Sequence, residues 1–124
     1  MIEFTKMHGL GNDYIYINQI NGENVIGNVP AFTRYICNRH FGVGADGIIL
    51  INKSKVADIK MNIYNADGSQ AQMCGNGIRA LGKYVYERKI VQKERFCVET
   101  LAGVKELILK VEKGNVKEIE SLVD

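Results

Sequence analysis

Apolar and polar positions along the chain recur at short, regular spacings. Residues 2–7 and 14–18 predict strands; in the second, Tyr14, Tyr16 and Asn18 share one face, Ile15 and Ile17 the other. A glycine corner at 9–12 lies between them. Asn28 is placed to cap a helix starting near Pro30, with Phe32, Tyr35 and Ile36 as its apolar stripe and Arg34 and Asn38 on the polar face. The glycines near 42 stop that helix. Residues 48–51 predict a short apolar strand. In 59–64, Ile59, Met61 and Ile63 alternate with Lys60, Asn62 and Tyr64 before the turn Asn65-Ala66-Asp67-Gly68. A second helix follows Cys74, with Ile78, Leu81 and Val85 on one stripe and Lys83, Glu87 and Arg88 opposite. The tail predicts three strands, at 96–100, 104–111 and 116–123, separated by Gly103 and Gly114. The last stops in a β pattern at Asp124 with no closing turn, the ending expected of a chain cut there.

Composition narrows the class. The 124 residues, 46% hydrophobic, suit one domain with a real core. Sixteen Lys+Arg against fourteen Asp+Glu leave a formal charge of +2, and the basic residues are scattered, so no nucleic acid partner is expected. No apolar stretch approaches the roughly 20 residues of a membrane span, and the N-terminus lacks the order of a signal peptide, so neither membrane nor export is expected. Three cysteines are too few and too odd for a disulfide scaffold; reduced thiols in the cytoplasm fit better.

The chemistry concentrates where Asn65-Ala66-Asp67-Gly68-Ser69 is followed by Met73-Cys74-Gly75-Asn76-Gly77 at a helix start. Amides at a helix N-terminus are unpaired and partly positive, so they bind carboxylates and lower a neighbouring thiol's pKa. Asn65 and Asn76 offer amide groups to an amino group and a carboxylate, while Asp67 and Ser69 equally suit a turn that satisfies its own backbone. Cys74 reads either as a reactive thiol or as a small buried hydrophobe beside a glycine turn. Gly75-x-Gly77-x-x-Ala80 also fits a dinucleotide fingerprint, but the polar stretch 69–73 is the wrong approach to it. Cys37-x-x-His40 is half of a zinc site without a second half, and no metal is expected. Cys37 and Cys97 read as core residues, and His8 and His40 as loop histidines.

The run Phe4-Thr5-Lys6-Met7-His8-Gly9-Leu10-Gly11-Asn12-Asp13-Tyr14 resembles the opening of the diaminopimelate epimerase family. Arg39-His40-Phe41-Gly42-Val43-Gly44-Ala45-Asp46-Gly47 is similar to the family's second block, and the Asn65 and Cys74 runs to its first catalytic-cysteine block. Tyr14 and Tyr64 stand where phenylalanine is usual, Gln70 where glutamate is common, and Ala80 where cysteine is frequent. Gly47 replaces a side chain that reaches the site in some members.

The resemblance implies an α+β fold, a curled, mainly antiparallel sheet wrapped around a central apolar helix. Residues 1–124 would be the N-terminal one of two similar domains, with the C-terminal domain absent from this chain. It further implies stereoinversion of LL-diaminopimelate to the meso isomer, for lysine and peptidoglycan synthesis, with no cofactor. Two opposed thiols would do this, Cys74 being one. Asn12 and Asn65 would contact the substrate, and the Gly75 and Asn76 amides its α-carboxylate. The missing domain and a second copy, as a homodimer, are the expected partners. The alternative is a stand-alone, non-catalytic domain of the same fold with a binding or assembly role.

Overall fold

Strand alternation divides the core between the two faces of a sheet. The computed structural model describes residues 2–7, 13–22, 26–72 and 75–122. In chain order the elements are β1 (Thr5–Met7), β2 (Tyr14–Asn18), α1 (Val29–Ile36), β3 (Gly47–Asn52), β4 (Ile59–Asn65), β5 (Gln70–Ala71), α2 (Gly75–Glu87), β6 (Arg95–Thr100), β7 (Gly103–Glu112) and β8 (Asn115–Leu122). They form an eight-stranded sheet ordered β1-β2-β3-β4-β6-β7-β8, with the short β5 alongside β4. The expected first strand is shorter than predicted: residues 2–4 precede β1 without joining it.

All neighbours pair antiparallel except β2 with β3 and β4 with β6. Each parallel pair needs a crossover, and α1 and α2 supply them. The antiparallel β3–β4 step reverses strand direction while the sheet keeps growing the same way. Two right-handed crossovers therefore require helices on opposite faces. That is where they lie: Ile15, Ile17, Ile48 and Leu50 pack with Ile36 and Cys37 at α1, whereas Tyr14, Tyr16, Ile49, Ile51, Met61 and Ile63 pack with Ile78, Leu81 and Val85 of α2. Each fully buried aliphatic side chain contributes about 1.5–3 kcal/mol. The curled sheet around α2 is completed by β6–β8, whose Phe96, Val98, Leu107, Leu109 and Val116 close the larger core. Gly82 allows this closure, since a Cβ there would lie 3.1 Å from the Leu107 side chain and 3.4 Å from that of Leu109.

Helix α1 starts as predicted, with the Asn28 side chain accepting the Ala31 N–H at 3.0 Å. Its buried stripe differs. Tyr35 is 64% exposed and Thr33 is fully buried, its hydroxyl donating to the Val29 carbonyl at 2.7 Å. Positions 29, 32, 33 and 36 share the sheet-facing side at i, i+3, i+4, i+7 spacing, and 35 falls outside that arc. Cys37 ends the helix. The glycines beyond it wrap the helix end: the Val43 and Gly44 amides both donate to the Ile36 carbonyl, at 2.9 and 3.0 Å, satisfying an acceptor the helix leaves open.

Strand β5 is absent from the periodic reading because its two residues are polar and small. Cys97 departs from its core assignment: it is half-buried on β6, while Phe96 and Val98 on either side are buried. The seam between β4 and β6 is short, with Ile59 opposite Val98 and Lys60 opposite Glu99. Asp58 reinforces it by accepting the Cys97 N–H and the Lys93 ammonium, both at 2.8 Å, while its own amide donates to the Cys97 carbonyl at 3.1 Å. Glu87 does the same for α2, accepting from Lys83 at 2.8 Å and from the Val116 N–H of β8 at 3.0 Å.

Candidate functional site

Three separated stretches meet in one row of the sheet. Tyr14 is the register partner of Gly47, and Gly47 that of Asn65. The stretches that resemble the family's opening, second and cysteine blocks thus meet at one end of these strands. Gly47 permits this closeness, because a Cβ at that position would fall 2.4 Å from the Tyr64 carbonyl oxygen and 3.2 Å from the Tyr14 ring.

Asp46 ties the row together. Its carboxylate accepts the Asp13 N–H at 2.8 Å and its amide donates to the Asp13 carbonyl at 2.9 Å. Its own carbonyl accepts the Ala66 N–H at 3.0 Å. The Arg39 guanidinium donates to the Asp46 carboxylate at 3.4 Å and lies 4.0 Å from that of Asp13. Nothing in the local pattern singles out Asp46, since its role rests on register with residues far away in sequence.

The Asn65 turn is held from within and from below. The Gly68 N–H donates to the Asn65 carbonyl at 2.9 Å and the Asn65 N–H to the Ser69 carbonyl at 2.8 Å, and Gly68 has φ +92. This is a three-residue hairpin loop with glycine in the left-handed region, as the sequence demands. A Cβ on Gly68 would meet Arg34 Nη1 at 2.7 Å and the Pro30 carbonyl at 2.9 Å, so the turn rests on α1. Ser69 donates from its hydroxyl to Asp67 at 2.6 Å and from its amide at 2.8 Å. Those bonds hold the Asp67 carboxyl below the usual carboxylate range. Asp67 and Ser69 therefore serve the turn. The exposed Asn65 side-chain amide donates from Nδ2 to the Ser69 hydroxyl at 3.1 Å.

Gly75 and Asn76 open α2 and present first-turn amides, the arrangement that accepts a carboxylate. Cys74 and Asn12, with His8, lie outside the described residues. Cys37 is 4% exposed, and burial, with Asp46 nearby, pushes its thiol up despite Arg39. His40, in contrast, is exposed, its ring edge-on to Phe41. Cys37 and His40 thus face different surroundings. Among the described residues no three His, Cys, Asp or Glu side chains gather as a metal site. The dinucleotide reading also fails on topology, for β5 is antiparallel to β4 and only two residues long.

The sequence model of the diaminopimelate epimerase family matches residues 4–121. Diaminopimelate epimerase of Methanococcus maripaludis strain C5 is 51% identical over 93% of this chain and 41% of its own length. The enzyme of that name from Caldanaerobacter subterraneus subsp. tengcongensis is 51% identical over 96% of this chain and 42% of its own. That from Methanothermobacter thermautotrophicus is 52% identical over all of this chain and 43% of its own. The chain thus spans about two fifths of the length of these relatives. Among solved structures, a probable proline racemase from Agrobacterium radiobacter K84 superposes with TM-score 0.79 at 13% identity, over 98% of this chain and 41% of that one. A hydroxyproline epimerase from Agrobacterium vitis superposes with TM-score 0.74 at 15% identity, over 95% and 40%. These last two share the fold.

Proposed function

Since the chain belongs to the diaminopimelate epimerase family, we propose that it forms the N-terminal half of an enzyme that inverts one α-carbon of LL-diaminopimelate to give the meso isomer. The convergence of Tyr14, Gly47 and Asn65 in one row carries this reading, because it brings the three family-like blocks together at one end of adjacent strands. Relatives named for the same reaction, half identical over 93% to all of the chain, support it.

In this reading Cys74 exchanges a proton with the α-carbon on one face only. As thiolate it takes the α-proton and the C–H electron pair passes into the carboxylate, whose growing negative charge the Gly75 and Asn76 amides stabilise. A second thiol, on the opposite face and contributed by the C-terminal domain, returns a proton. Neither other cysteine of this chain suits that role, since Cys37 is buried with its thiol pushed up and Cys97 lies on β6, away from the Asn65 row. Asn12 and Asn65 contact the substrate. Neither metal nor pyridoxal phosphate takes part, the enzyme works as a homodimer, and the reaction runs in the cytoplasm, where both thiols stay reduced.

The test is Cys74→Ser in the full-length protein. Serine keeps the size but is a far weaker acid and base at neutral pH, so epimerisation should fall by orders of magnitude with folding intact. Near-normal turnover would overturn the thiol mechanism.

A further inference from the structure

We propose that Ser69, backed by Asp67, is a positioning residue for the substrate: its hydroxyl holds the Asn65 side-chain amide in one of the two orientations that a half-turn of the amide would exchange. This rests on the role proposed above for Asn65 and goes beyond it by naming what sets the direction in which Asn65 offers its donors and its acceptor.

The main chain fixes where Asn65 stands but not which way its amide faces. Asn65 is the register partner of Gly47, and its N–H donates to the Ser69 carbonyl at 2.8 Å. The donor and acceptor ends of a carboxamide are nearly equal in size, so hydrogen bonds rather than packing must tell them apart. Ser69 supplies the distinction. Its hydroxyl carries a single hydrogen, which goes to the Asp67 carboxylate at 2.6 Å in a short, charge-assisted bond. The oxygen then has only lone pairs to offer Asn65, so it accepts from Nδ2 at 3.1 Å and would repel the carbonyl end. Asp67 is held to this geometry independently, because it also accepts the Ser69 N–H at 2.8 Å. The relay therefore runs one way, from Asn65 through Ser69 to Asp67. Shape and direction are separable in this turn. Removing the hydroxyl leaves in place the main-chain bonds that Asn65 makes with Ser69 and Gly68, and the Ser69 N–H bond to Asp67, while the amide becomes free to turn.

All three side chains are exposed, so water competes for these bonds and effects of a few-fold are expected. In the full-length protein, Ser69→Ala should raise KM for diaminopimelate about fivefold, the worth of one net hydrogen bond, with kcat within about twofold of wild type. Asp67→Asn can donate to the Ser69 oxygen and so releases the hydroxyl hydrogen; with both amide orientations open, KM should rise about twofold. Ser69→Thr keeps the hydroxyl and should match wild type. The coupling decides: in an Asn65→Ala background, Ser69→Ala should add little further, because the group it orients is gone. If Asn65→Ala alone leaves KM unchanged, the reading of the site falls and the inference with it. If Asn65→Ala raises KM but Ser69→Ala does not, or multiplies its full factor onto the double variant, the positioning role falls and the site stands. A larger effect from Asp67→Asn than from Ser69→Ala overturns the relay as well, since the carboxylate would then act by its charge and not through the hydroxyl.

Discussion

The rings of Tyr16 and Tyr84 stack with centroids 4.8 Å apart and planes 15° from parallel. The Arg88 guanidinium carbon lies 5.3 Å from the centroid of the Tyr84 ring. This stack joins β2, which leads away from the first block, directly to α2, which opens with Gly75. Tyr84→Ala should cost about 3–5 kcal/mol of folding stability, as truncation of a large buried aromatic does, read from denaturant unfolding. Arg88→Ala should cost only about 0.5–1 kcal/mol, the worth of an exposed cation–π contact. Equal costs for the two would contradict the stack's place in the core.

The seam between β4 and β6 should be sensitive to acid. Hydrogen bonds from Lys93 and from the Cys97 amide hold the Asp58 carboxyl below its ordinary range. A carboxyl depressed by folding stabilises the folded state above its unfolded pKa, and that contribution disappears as pH falls through the folded value. Unfolding measured from pH 7 downward should show this loss below about pH 4, the ordinary carboxylate value. In Asp58→Asn the same series should be flatter. An identical slope in both proteins would remove Asp58 from the explanation.

Thiol reactivity should rank Cys74 first, Cys97 second and Cys37 last. Cys37 is buried and its thiol is pushed up, so it should label only on unfolding, whereas Cys97 is half-buried on a strand. Alkylation of the folded chain with mass mapping checks the order. Faster labelling of Cys37 than of Cys74 would remove the basis for a catalytic thiol at 74.

The 124-residue chain alone should fold, self-associate and lack epimerase activity. The core around α2 is large enough to fold. Tyr35 and Phe41, 64% and 78% exposed, lie with Val43 in the stretch leading to Asp46, apolar surface that invites a second copy. One thiol cannot both remove a proton from one face and return it from the other. Light scattering reports the association, and the chirality of diaminopimelate incubated in deuterated buffer reports the chemistry. A monomer at high concentration, or robust inversion, would each contradict one half of this expectation.

Local chemistry was the legible part of the sequence. The Asn28 cap, the Asn65–Gly68 turn, the alternation of β4 and the Ile78, Leu81 and Val85 stripe each follow from residues within one turn or one strand of each other. What eluded the pattern depends on distant partners. Tyr35 and Phe32 are both large aromatics, and the direction from which the sheet approaches α1 leaves Tyr35 outside while burying Thr33. Strand β5 exists because β4 is there to pair with it, not because Gln70 and Ala71 favour extension. Of the site, the Asn65 turn was legible from its own residues and Cys74 as one of two readings. Asn12 came from family resemblance, and Asp46 emerges only when the register of three strands is known.

The two parallel pairs also set the order in which the fold can assemble. Strands β6, β7 and β8 succeed one another through two-residue turns, Leu101–Ala102 and Lys113–Gly114, and such hairpins close in about 1–10 μs. Strand β4 must instead wait for β6 across all of β5 and α2, a loop whose closure entropy is met before any contact repays it. During synthesis β4 leaves the ribosome long before its partner exists. The Ile59 end of β4 thus borders an open sheet edge until the chain has grown past Glu99, while β5 covers the same edge beside Asn65, and in that interval the nascent protein is most exposed to pairing with the wrong strand.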